Sequence, residues 1–444
     1  MSARVLADLL RDNPIAVTGV GSFSAAGDSV DALWQAAVAG QSLAAWREFK
    51  IGTVTERFAV CSAAELDSSR PELHPVRKMD RCVQMAWLAA NQAWSQARLT
   101  GIYPAERVGV MVGSSRGPFT KSNASPDLSS RRKYPPSLSA HSTFASLSGA
   151  LAQAFNLQGP GATISATCAS SAFAIGFAAE QILLGKADAM LVGGTEAPLH
   201  YAILAQLQAA GVVGFHEDAR LTCRPFDTRR NGLVPGEGSA FLILESARTA
   251  AARQAPVLAR LSGWNMSLDN SGRTGVDEEG SGLVQVMEQA LQLAGFDPEK
   301  IDYINAHGTG TKMNDAAEAP AVRKLFGRRA ATVPCSSTKP ITGHCLGATP
   351  ALEAIICIKA LQAQMVPPTA NCPQPDPLCP INVQPLTAEP AKISTVMSNS
   401  VGFWGYHASL IFSEPDNRGE VRPRATNQVS QNNLQERATE LLRR

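Results

Sequence analysis

Two distant segments of this sequence share one pattern, and their repetition restricts the fold more than any other feature. Residues 163–185 read TISATCASSAFAIGFAAEQILLG, and residues 332–361 read TVPCSSTKPITGHCLGATPALEAIICIKAL. Each segment begins with a β-rich run, passes through a turn of small residues and continues as an apolar helix. A strand–turn–helix unit that recurs in one chain indicates an internal duplication, with two halves that meet near residues 255–262.

The rest of the chain alternates short apolar runs with longer helical patterns. Strands are predicted at residues 15–21 and 108–113, and a helix at residues 81–98, where apolar side chains recur at helical spacing. The second half repeats this order, with a helix over residues 283–295 that leads into a strand over residues 301–306. The sequence therefore predicts an α/β fold.

The composition excludes several classes of protein. Hydrophobic residues make up 45% of the 444 residues and charged residues 18%, so the chain can bury a large core and is neither disordered nor fibrous. A balance of 40 basic and 38 acidic residues leaves a net charge of +2. This charge gives no electrostatic reason to expect nucleic acid or an anionic membrane as the main partner.

No segment predicts export or membrane insertion. The apolar runs, such as the one around residues 172–184, are interrupted well short of a membrane span, and the N-terminal segment lacks the apolar core of an export signal. The nine cysteines form no disulfide or zinc framework, which predicts a reduced, cytoplasmic setting.

Three segments are predicted to be solvated. Residues 121–136 are rich in Ser, Pro and basic side chains, and residues 367–390 carry eight prolines, each of which fixes φ and removes a donor. Residues 415–444 are polar and lack aromatic side chains, which is typical of a frayed tail.

Cys168 is the first candidate for chemistry. A cysteine between a β-rich run and an apolar helix lies near the helix N-terminus, where free N–H groups and the helix dipole favour a thiolate, so a lowered pKa is expected. Small neighbours such as Ala166, Ala169 and Ser170 leave room for a substrate beside the sulfur. The alternative is a small core residue, since free cysteines beside apolar helices usually serve packing.

Two histidines occur in glycine-rich turns of the second half. His307 lies in INAHGTGTKMNDAAEA, where a strand gives way to a turn, and His344 lies in SSTKPITGHCLGATPALEA, just before a helix. Lys339 precedes His344 by five residues, and Glu353 follows on that helix. A single histidine is most often a hydrogen-bonded core residue, but two in this context, together with Cys168, favour a catalytic set.

A third glycine-rich turn, in SNSVGFWGYHASLIF, separates two strands of a predicted hairpin. Gly402 and Gly405 allow the backbone to approach a ligand closely, and Phe403 would point into an adjacent cavity. The alternative is a tight hairpin with a buried aromatic side chain.

Taken in order, these motifs resemble those of the β-ketoacyl-acyl carrier protein synthases of the elongating, Cys-His-His class. The matching segments are AHGTGT, STKPITGHCLGA, CRPFDTRRNGLVPGEG and NSVGFWGYHASLIF, together with Cys168 and the RKMDR segment at residues 77–81. The resemblance spans residues 14–412, and several long motifs agree in order and spacing.

The resemblance implies the thiolase fold, in which two similar halves form five αβαβα layers and pair as a dimer. Residues 14–258 would carry the nucleophile, and residues 259–414 both histidines. Cys168 would take an acyl chain from acyl carrier protein, and His307 and His344 would stabilise the enolate formed when malonyl-carrier protein loses carbon dioxide. This acyltransferase reaction lengthens the chain by two carbons and uses no redox or metal cofactor.

The same resemblance implies the supporting roles. The backbone N–H groups of Cys168 and Phe403 would form the oxyanion hole, and Phe403 would also gate the entry of malonate. Lys339, with Glu353 as its hydrogen-bonding partner, would support the histidine pair electrostatically.

Docking of the acidic carrier protein is assigned by the resemblance to a basic surface. Arg77 and Lys78 match the docking region of the family, and Arg131, Arg132 and Lys133 are a second candidate. The alternative is that these cations are simply solvated.

The sequence departs from the family around the third turn. Where the family usually has GFGGTN, this chain has GFWGYH, so Trp404, Tyr406 and His407 replace small or neutral residues, and Pro350 stands where a glycine is usual. These changes alter the wall of the substrate pocket, in which Trp404 and Tyr406 would lie. They favour specialised type II polyketide synthesis over an ordinary saturated fatty acid role.

Two other functions are alternatives on the same fold. A chain-length factor pairs with a ketosynthase without catalysing condensation, but such factors lack the nucleophile that is present here. A thiolase or chain-initiating synthase uses a Cys-His-Cys or Cys-His-Asn set, whereas a second histidine occupies the TGH turn here. The motifs leave open the identity of the acyl primer. They also leave open whether the chain forms a homodimer or a heterodimer with a ketosynthase paralogue.

We predict that Trp404→Gly lowers the preference for a conjugated over a saturated acyl primer of equal length. An indole of roughly 150–250 Å² at the pocket mouth can stack on a conjugated chain, and a stiff turn loses less entropy on closing. The measurement is the ratio of condensation efficiencies for the two primers in wild type and variant. An unchanged ratio, with Cys168 still reactive, would make Trp404 a packing residue.

Overall fold

Helices and strands alternate along the chain, which confirms the predicted α/β fold. The computed structural model describes residues 3–67, 69–127, 129, 133–270, 272, 277–383 and 386–415. The strands are β1 (Ile15–Ser24), β2 (Ala45–Ile51), β3 (Val54–Val60), β4 (Val108–Gly113), β5 (Gly161–Ile164), β6 (Ala189–Glu196), β7 (Gly238–Ser246), β8 (Ala259–Leu268), β9 (Tyr303–Asn305), β10 (Cys335–Ser336), β11 (Met365–Val366), β12 (Glu389–Pro390), β13 (Thr395–Gly402) and β14 (Tyr406–Ser413).

The helices include three single turns as well as long elements. They are α1 (Ala3–Asp12), α2 (Val30–Ala39), α3 (Arg81–Ala97), α4 (Phe119–Ser122), α5 (Leu138–His141), α6 (Ala145–Phe155), α7 (Ser170–Leu183), α8 (Tyr201–Ala209), α9 (Ala247–Ala252), α10 (Ser281–Ala294), α11 (Lys312–Phe326), α12 (Lys339–Thr342) and α13 (Thr349–Ala363).

Ten strands form one sheet in the order β10-β9-β13-β14-β8-β1-β7-β6-β4-β5. On one side, β4 pairs in parallel with β5 and β6, while β7 runs antiparallel to β6 and β1. On the other side, β9 pairs in parallel with β10 and β13, while β14 runs antiparallel to β13 and β8. The same order and directions occur twice, as the predicted duplication requires, and the halves join where β1 pairs with β8.

Helices cover both faces of each half of the sheet. α3 and α6 pack on the first half, and α10 packs on the second with α11 against it. α7 and α13 lie between the halves and contact strands of both. This arrangement gives the five αβαβα layers of the expected thiolase fold.

The two middle helices are buried on nearly every face. One stretch among the described residues, Leu346–Ala363, is long and apolar enough to cross a membrane, but 83% of it is buried inside the protein. Its composition is therefore that of a core helix, since a helix that is hydrophobic all round and enclosed by protein needs no membrane.

The predicted boundaries differ from the structure by a few residues. β1 continues three residues beyond the prediction to Ser24, because Ser22 and Phe23 still pair with β7. The strand predicted over residues 301–306 is only β9, since the chain turns after Asn305 toward His307. The predicted tail lies outside the described residues from position 416 onward.

The hairpin predicted around the third glycine-rich turn is present. β13 and β14 pair antiparallel from Thr395↔Ser413 to Gly402↔Tyr406, and a short turn, Phe403–Gly405, connects them.

Candidate active site

Cys168 lies in a tight turn between β5 and α7. The preceding residue, Thr167, has φ +50, in the left-handed region that is costly for a β-branched side chain. Ser170 holds this turn, because its Oγ accepts from Ala166 N at 2.9 Å and donates to Thr167 O at 2.6 Å. Cys168 is partly exposed, whereas the other eight cysteines are buried.

Burial raises the pKa of the Cys168 thiol to about 12, against the opposing positive charges of Lys339 and Arg116. The nearby carboxylate of Glu196 adds to the rise. The pKa of Cys168 is thus raised and not lowered as expected from the helix N-terminus, because desolvation of the thiolate outweighs the positive charges of Lys339 and Arg116.

The Phe403 turn approaches Cys168 from the end of β13. A Cβ on Gly402 would overlap Thr167 Oγ1 and lie 3.1 Å from Cys168 N, so a glycine is needed for this approach. Thr167 Oγ1 also donates to Phe403 O at 3.2 Å. The backbone of residues 402–403 thus lies against that of residues 167–168, and the oxyanion hole formed by the N–H groups of Cys168 and Phe403 stays a prediction.

His307 and His344 are brought together from two separate turns. Their ring centroids lie 5.4 Å apart, and the rings are nearly perpendicular at 82°. The N–H groups of His307 and Gly308 donate to the carboxylate of Glu318 at 2.7 and 2.8 Å. His344 Nδ1 lies 3.0 Å from Thr349 Oγ1. The backbone of His307 and the ring of His344 are thus held, and both imidazoles are buried beside one another.

Lys339 and Glu353 form a buried ion pair next to the histidines. Lys339 Nζ lies 2.7 Å from Glu353 Oε1, and the two side chains are 0% and 3% exposed. Burial raises the pKa of Glu353 to about 7, although Lys339 lowers it. Burial, and secondly the Lys339 ammonium, hold the pKa of both His307 and His344 well below the ordinary value. Both imidazoles are neutral at pH 7, with one N–H each.

Trp404 and Tyr406 occupy different environments. Trp404 has φ +67, a conformation that favours glycine, and its side chain is 57% exposed. The Tyr406 ring packs against Phe173 of α7, with centroids 5.5 Å apart. Tyr406 thus lies beside α7, the helix that follows Cys168, whereas Trp404 lies at the surface. The roles of both side chains in the substrate pocket stay predictions.

The other two departures from the family have local explanations. Pro350 is the second residue of α13, where the backbone N–H has no intrahelical partner and proline is well tolerated. His407 is buried, and its Nε2 lies 2.6 Å from Asp269 Oδ2.

The predicted docking residues lie apart from the catalytic set. Arg77 and Lys78 are exposed and line a cavity of about 490 Å³ with His74 and His141. Lys133 is exposed as well, whereas residues 131 and 132 lie outside the described chain. Docking on this surface stays a prediction.

Three polar side chains that shape the site were not foreseen from the sequence. Glu196, at the end of β6, accepts backbone N–H groups from Ser115, Arg116 and Gly347 at 2.6, 2.8 and 3.1 Å. Glu318 and Thr349 hold the two histidines, as described above. Each is a buried polar residue within a stretch of small or apolar residues, and that contrast is the signal that could have identified them.

No metal centre is evident in the described parts of the chain. In those parts, no group of three or more His, Cys, Asp or Glu side chains is placed so that it could hold a metal ion.

Comparisons with known proteins agree with this geometry. The family described as "Beta-ketoacyl synthase, N-terminal domain" matches residues 12–250, and "Beta-ketoacyl synthase, C-terminal domain" matches residues 258–373. A 3-oxoacyl-[acyl-carrier-protein] synthase 2 of Coxiella burnetii is 37% identical over 415 residues, which cover 90% of this chain and 98% of that protein.

Two solved structures are similar over nearly the whole chain. The ishigamide ketosynthase/chain length factor has a TM-score of 0.82 at 31% identity, covering 91% of this chain and 99% of that one. A chain of the AntDE:AntF complex, described as a type II PKS acyl-carrier protein in complex with its ketosynthase bound to the hexaketide, has a TM-score of 0.81 at 28% identity, covering 91% of this chain and 100% of that one.

The matched regions include the nucleophile turn and both histidine turns. Cys168 falls within the N-terminal match, and His307 and His344 fall within the C-terminal match. With the five-layer fold, these matches over nearly the whole chain lead to the conclusion that this chain, an acyltransferase, belongs to the β-ketoacyl synthase family.

Proposed function

We propose that this β-ketoacyl-acyl carrier protein synthase condenses a Cys168-bound acyl chain with malonyl-carrier protein in a specialised type II polyketide pathway. The observation that carries the chemistry is a pair of buried, neutral histidines, with ring centroids 5.4 Å apart, beside a Lys339 whose charge acts on both of them and on the partly exposed Cys168. These groups match the two half-reactions that the condensation needs.

In the first half-reaction, Cys168 attacks the acyl thioester of a carrier protein. A new carbon–sulfur bond forms, the bond to the carrier's sulfur breaks, and the thiol proton leaves with the carrier's thiol. The negative charge that develops on the acyl oxygen faces the backbone N–H groups of Cys168 and Phe403, which cost nothing to reorganise because the Thr167 turn fixes them.

In the second half-reaction, malonyl-carrier protein loses carbon dioxide. The carbon–carbon bond to the carboxylate breaks, and its electron pair moves onto the thioester as an enolate. His307 and His344 each donate one N–H to that oxygen as charge develops there. The enolate carbon then attacks the acyl group on Cys168, and the cysteine leaves as a thiolate that regains a proton.

The positive charge of Lys339 supports this step at a distance. After burial, it is the second cause that lowers the pKa of both imidazoles, so that they remain neutral donors. Glu353 compensates the ammonium, which would otherwise be costly to bury.

The polyketide assignment rests on the substrate wall and on the relatives. Trp404 and Tyr406 place aromatic side chains where the family usually has small ones. The two solved ketosynthases described above are a ketosynthase/chain length factor and a type II polyketide ketosynthase. The curated relative is named only for the general 3-oxoacyl synthase activity.

Carrier protein and a second ketosynthase-fold subunit are the proposed partners. Arg77 and Lys78, with His74 and His141 beside them, form a basic surface suited to an acidic carrier protein. β5 ends the large sheet and is partly exposed, so its free edge can pair with a second copy or a paralogue. All nine cysteines are free thiols, which fits the reducing cytoplasm.

We expect that substitution of Cys168 and substitution of the histidines impair different steps, acylation in the first case and decarboxylation in the second. Acyl-carrier protein should place one acyl group on Cys168 alone, because the other cysteines are buried. Cys168→Gln should lose condensation and keep malonyl decarboxylation, whereas His307→Ala and His344→Ala should lose decarboxylation by about 10²–10³-fold and retain acylation. Peptide mass spectrometry and carbon dioxide release measure the two steps.

Two results would contradict these roles. One is labelling of Cys223 or Cys345 while Cys168 stays free. The other is loss of acylation before decarboxylation in both histidine variants. Acyl-coenzyme A in place of acyl-carrier protein is the control, and equal labelling from both donors would remove the carrier protein as the preferred partner.

The two histidines should not show the ordinary histidine titration. Glu353, Glu196 and Glu318, whose pKa burial raises to about 7, titrate between pH 8 and 6, so the rate of carbon dioxide release alone does not report on the imidazoles. Nitrogen NMR of Cys168→Gln should find His307 and His344 neutral from pH 8 down to about 6, because burial holds the pKa of both well below the usual value of about 6.5. Protonation of either ring near pH 6.5 would show that this imidazole titrates normally and is solvated.

A further inference from the structure

We propose that Thr349 is a positioning residue that fixes the tautomer of His344, so that His344 presents its Nε2–H to the malonyl thioester. This inference rests on the proposed function and assigns a role to a residue outside the Cys-His-His set.

The contact joins two rigid, buried elements. Thr349 is the first residue of α13, and its Oγ1 lies 3.0 Å from His344 Nδ1. The residues are each 2% exposed. The backbone of His344 is itself held, because its N–H donates to Val234 O at 2.7 Å and its C=O accepts from Gly236 N at 3.0 Å. The ring therefore has little freedom to exchange this partner for another.

The start of α13 is equally fixed. Ala351 N donates to Ser171 Oγ at 2.9 Å, which ties this end of α13 to the first turn of α7, beside Cys168. The ion pair of Lys339 and Glu353 holds the next turn of the helix. Thr349 is thus placed by contacts on the two residues that follow it closely in α13, Ala351 and Glu353.

The direction of the hydrogen bond between Thr349 and His344 follows from the donors and acceptors that each side chain carries. A neutral imidazole carries one N–H, so Nδ1 either donates to the hydroxyl or accepts from it. If Thr349 accepted, its own buried hydroxyl hydrogen would have no acceptor among the described residues, and an unpaired buried donor is costly. If Thr349 donates, that hydrogen is satisfied. Nδ1 of His344 then accepts, and the proton lies on Nε2.

His307 is held in a different way, which makes His344 the histidine whose tautomer is set by a side chain. In the described chain, Nδ1 of His307 is buried without a hydrogen-bond partner. Glu318 holds His307 through the backbone instead, at 2.7 Å from its N–H. Removing the Thr349 hydroxyl should therefore affect one donor of the pair and leave the other unchanged.

The test compares Thr349→Val with Thr349→Ser. Valine keeps the shape of threonine and removes the donor, so malonyl decarboxylation should fall on the order of 10- to 100-fold while acylation of Cys168 is unchanged. Serine restores the hydroxyl and should restore most of the rate. Thr222→Val is the matched control, because the Thr222 hydroxyl is equally buried and has no partner among the described residues.

Nitrogen NMR of the imidazoles reports which ring nitrogen carries the proton. This would not change if Thr349 served only for packing. In wild type the His344 signals should report a proton on Nε2, and in Thr349→Val a mixture of tautomers or a proton on Nδ1. An unchanged tautomer, or equal losses of acylation and decarboxylation in Thr349→Val with a lower melting temperature, would overturn the proposal. If the wild type released no carbon dioxide from malonyl-carrier protein, the proposed function would fail, and the NMR comparison would still decide the role of Thr349.

Discussion

Burial of two helices between the halves of the sheet is the constraint on which the site depends. α7 and α13 contact strands of both halves and are enclosed along most of their length. Their N-terminal turns are joined by the hydrogen bond from Ala351 N to Ser171 Oγ. Because both helices are packed on nearly every face, the groups at their starts cannot move apart without opening the core.

The same burial sets the charge state of every reacting group. It raises the pKa of the Cys168 thiol to about 12 and lowers that of both histidines well below the ordinary value. Lys339 and Glu353 form an ion pair in the same site, and burial raises the pKa of Glu353, Glu196 and Glu318 to about 7. In the proposed reaction, negative charge would develop near fixed N–H donors and the Lys339 ammonium, and such donors are most effective where water is excluded.

The sequence predicted the fold well, because hydrophobic periodicity and the repeated strand–turn–helix unit depend on neighbours in the chain. It also selected Cys168, His307 and His344, since each lies in a turn of small residues that is unusual for packing. It did not predict the pKa of Cys168. A helix N-terminus is visible in the sequence, but the desolvation that outweighs it depends on residues hundreds of positions away.

The supporting residues were harder to predict for the same reason. Glu318 is eleven residues from His307 and Thr349 is five from His344, so both are close in sequence, yet only the fold shows which backbone or ring atom they face. For Trp404, the backbone conformation was easier to predict than the position of the side chain. Its φ of +67 could be expected from the glycine usual there, but the exposure of its side chain could not.

The duplication explains why the nucleophile and a histidine come to face each other. β5 followed by α7 in the first half corresponds to β10 followed by α13 in the second, by the matching positions of these strands in the sheet. Cys168 precedes α7 and His344 precedes α13. Since both helices lie in the shared middle layer with their first turns in contact, two copies of one turn form a single site. Under the proposed function, the repeated unit would supply a nucleophile in one half and an enolate-stabilising donor in the other, from the same local geometry.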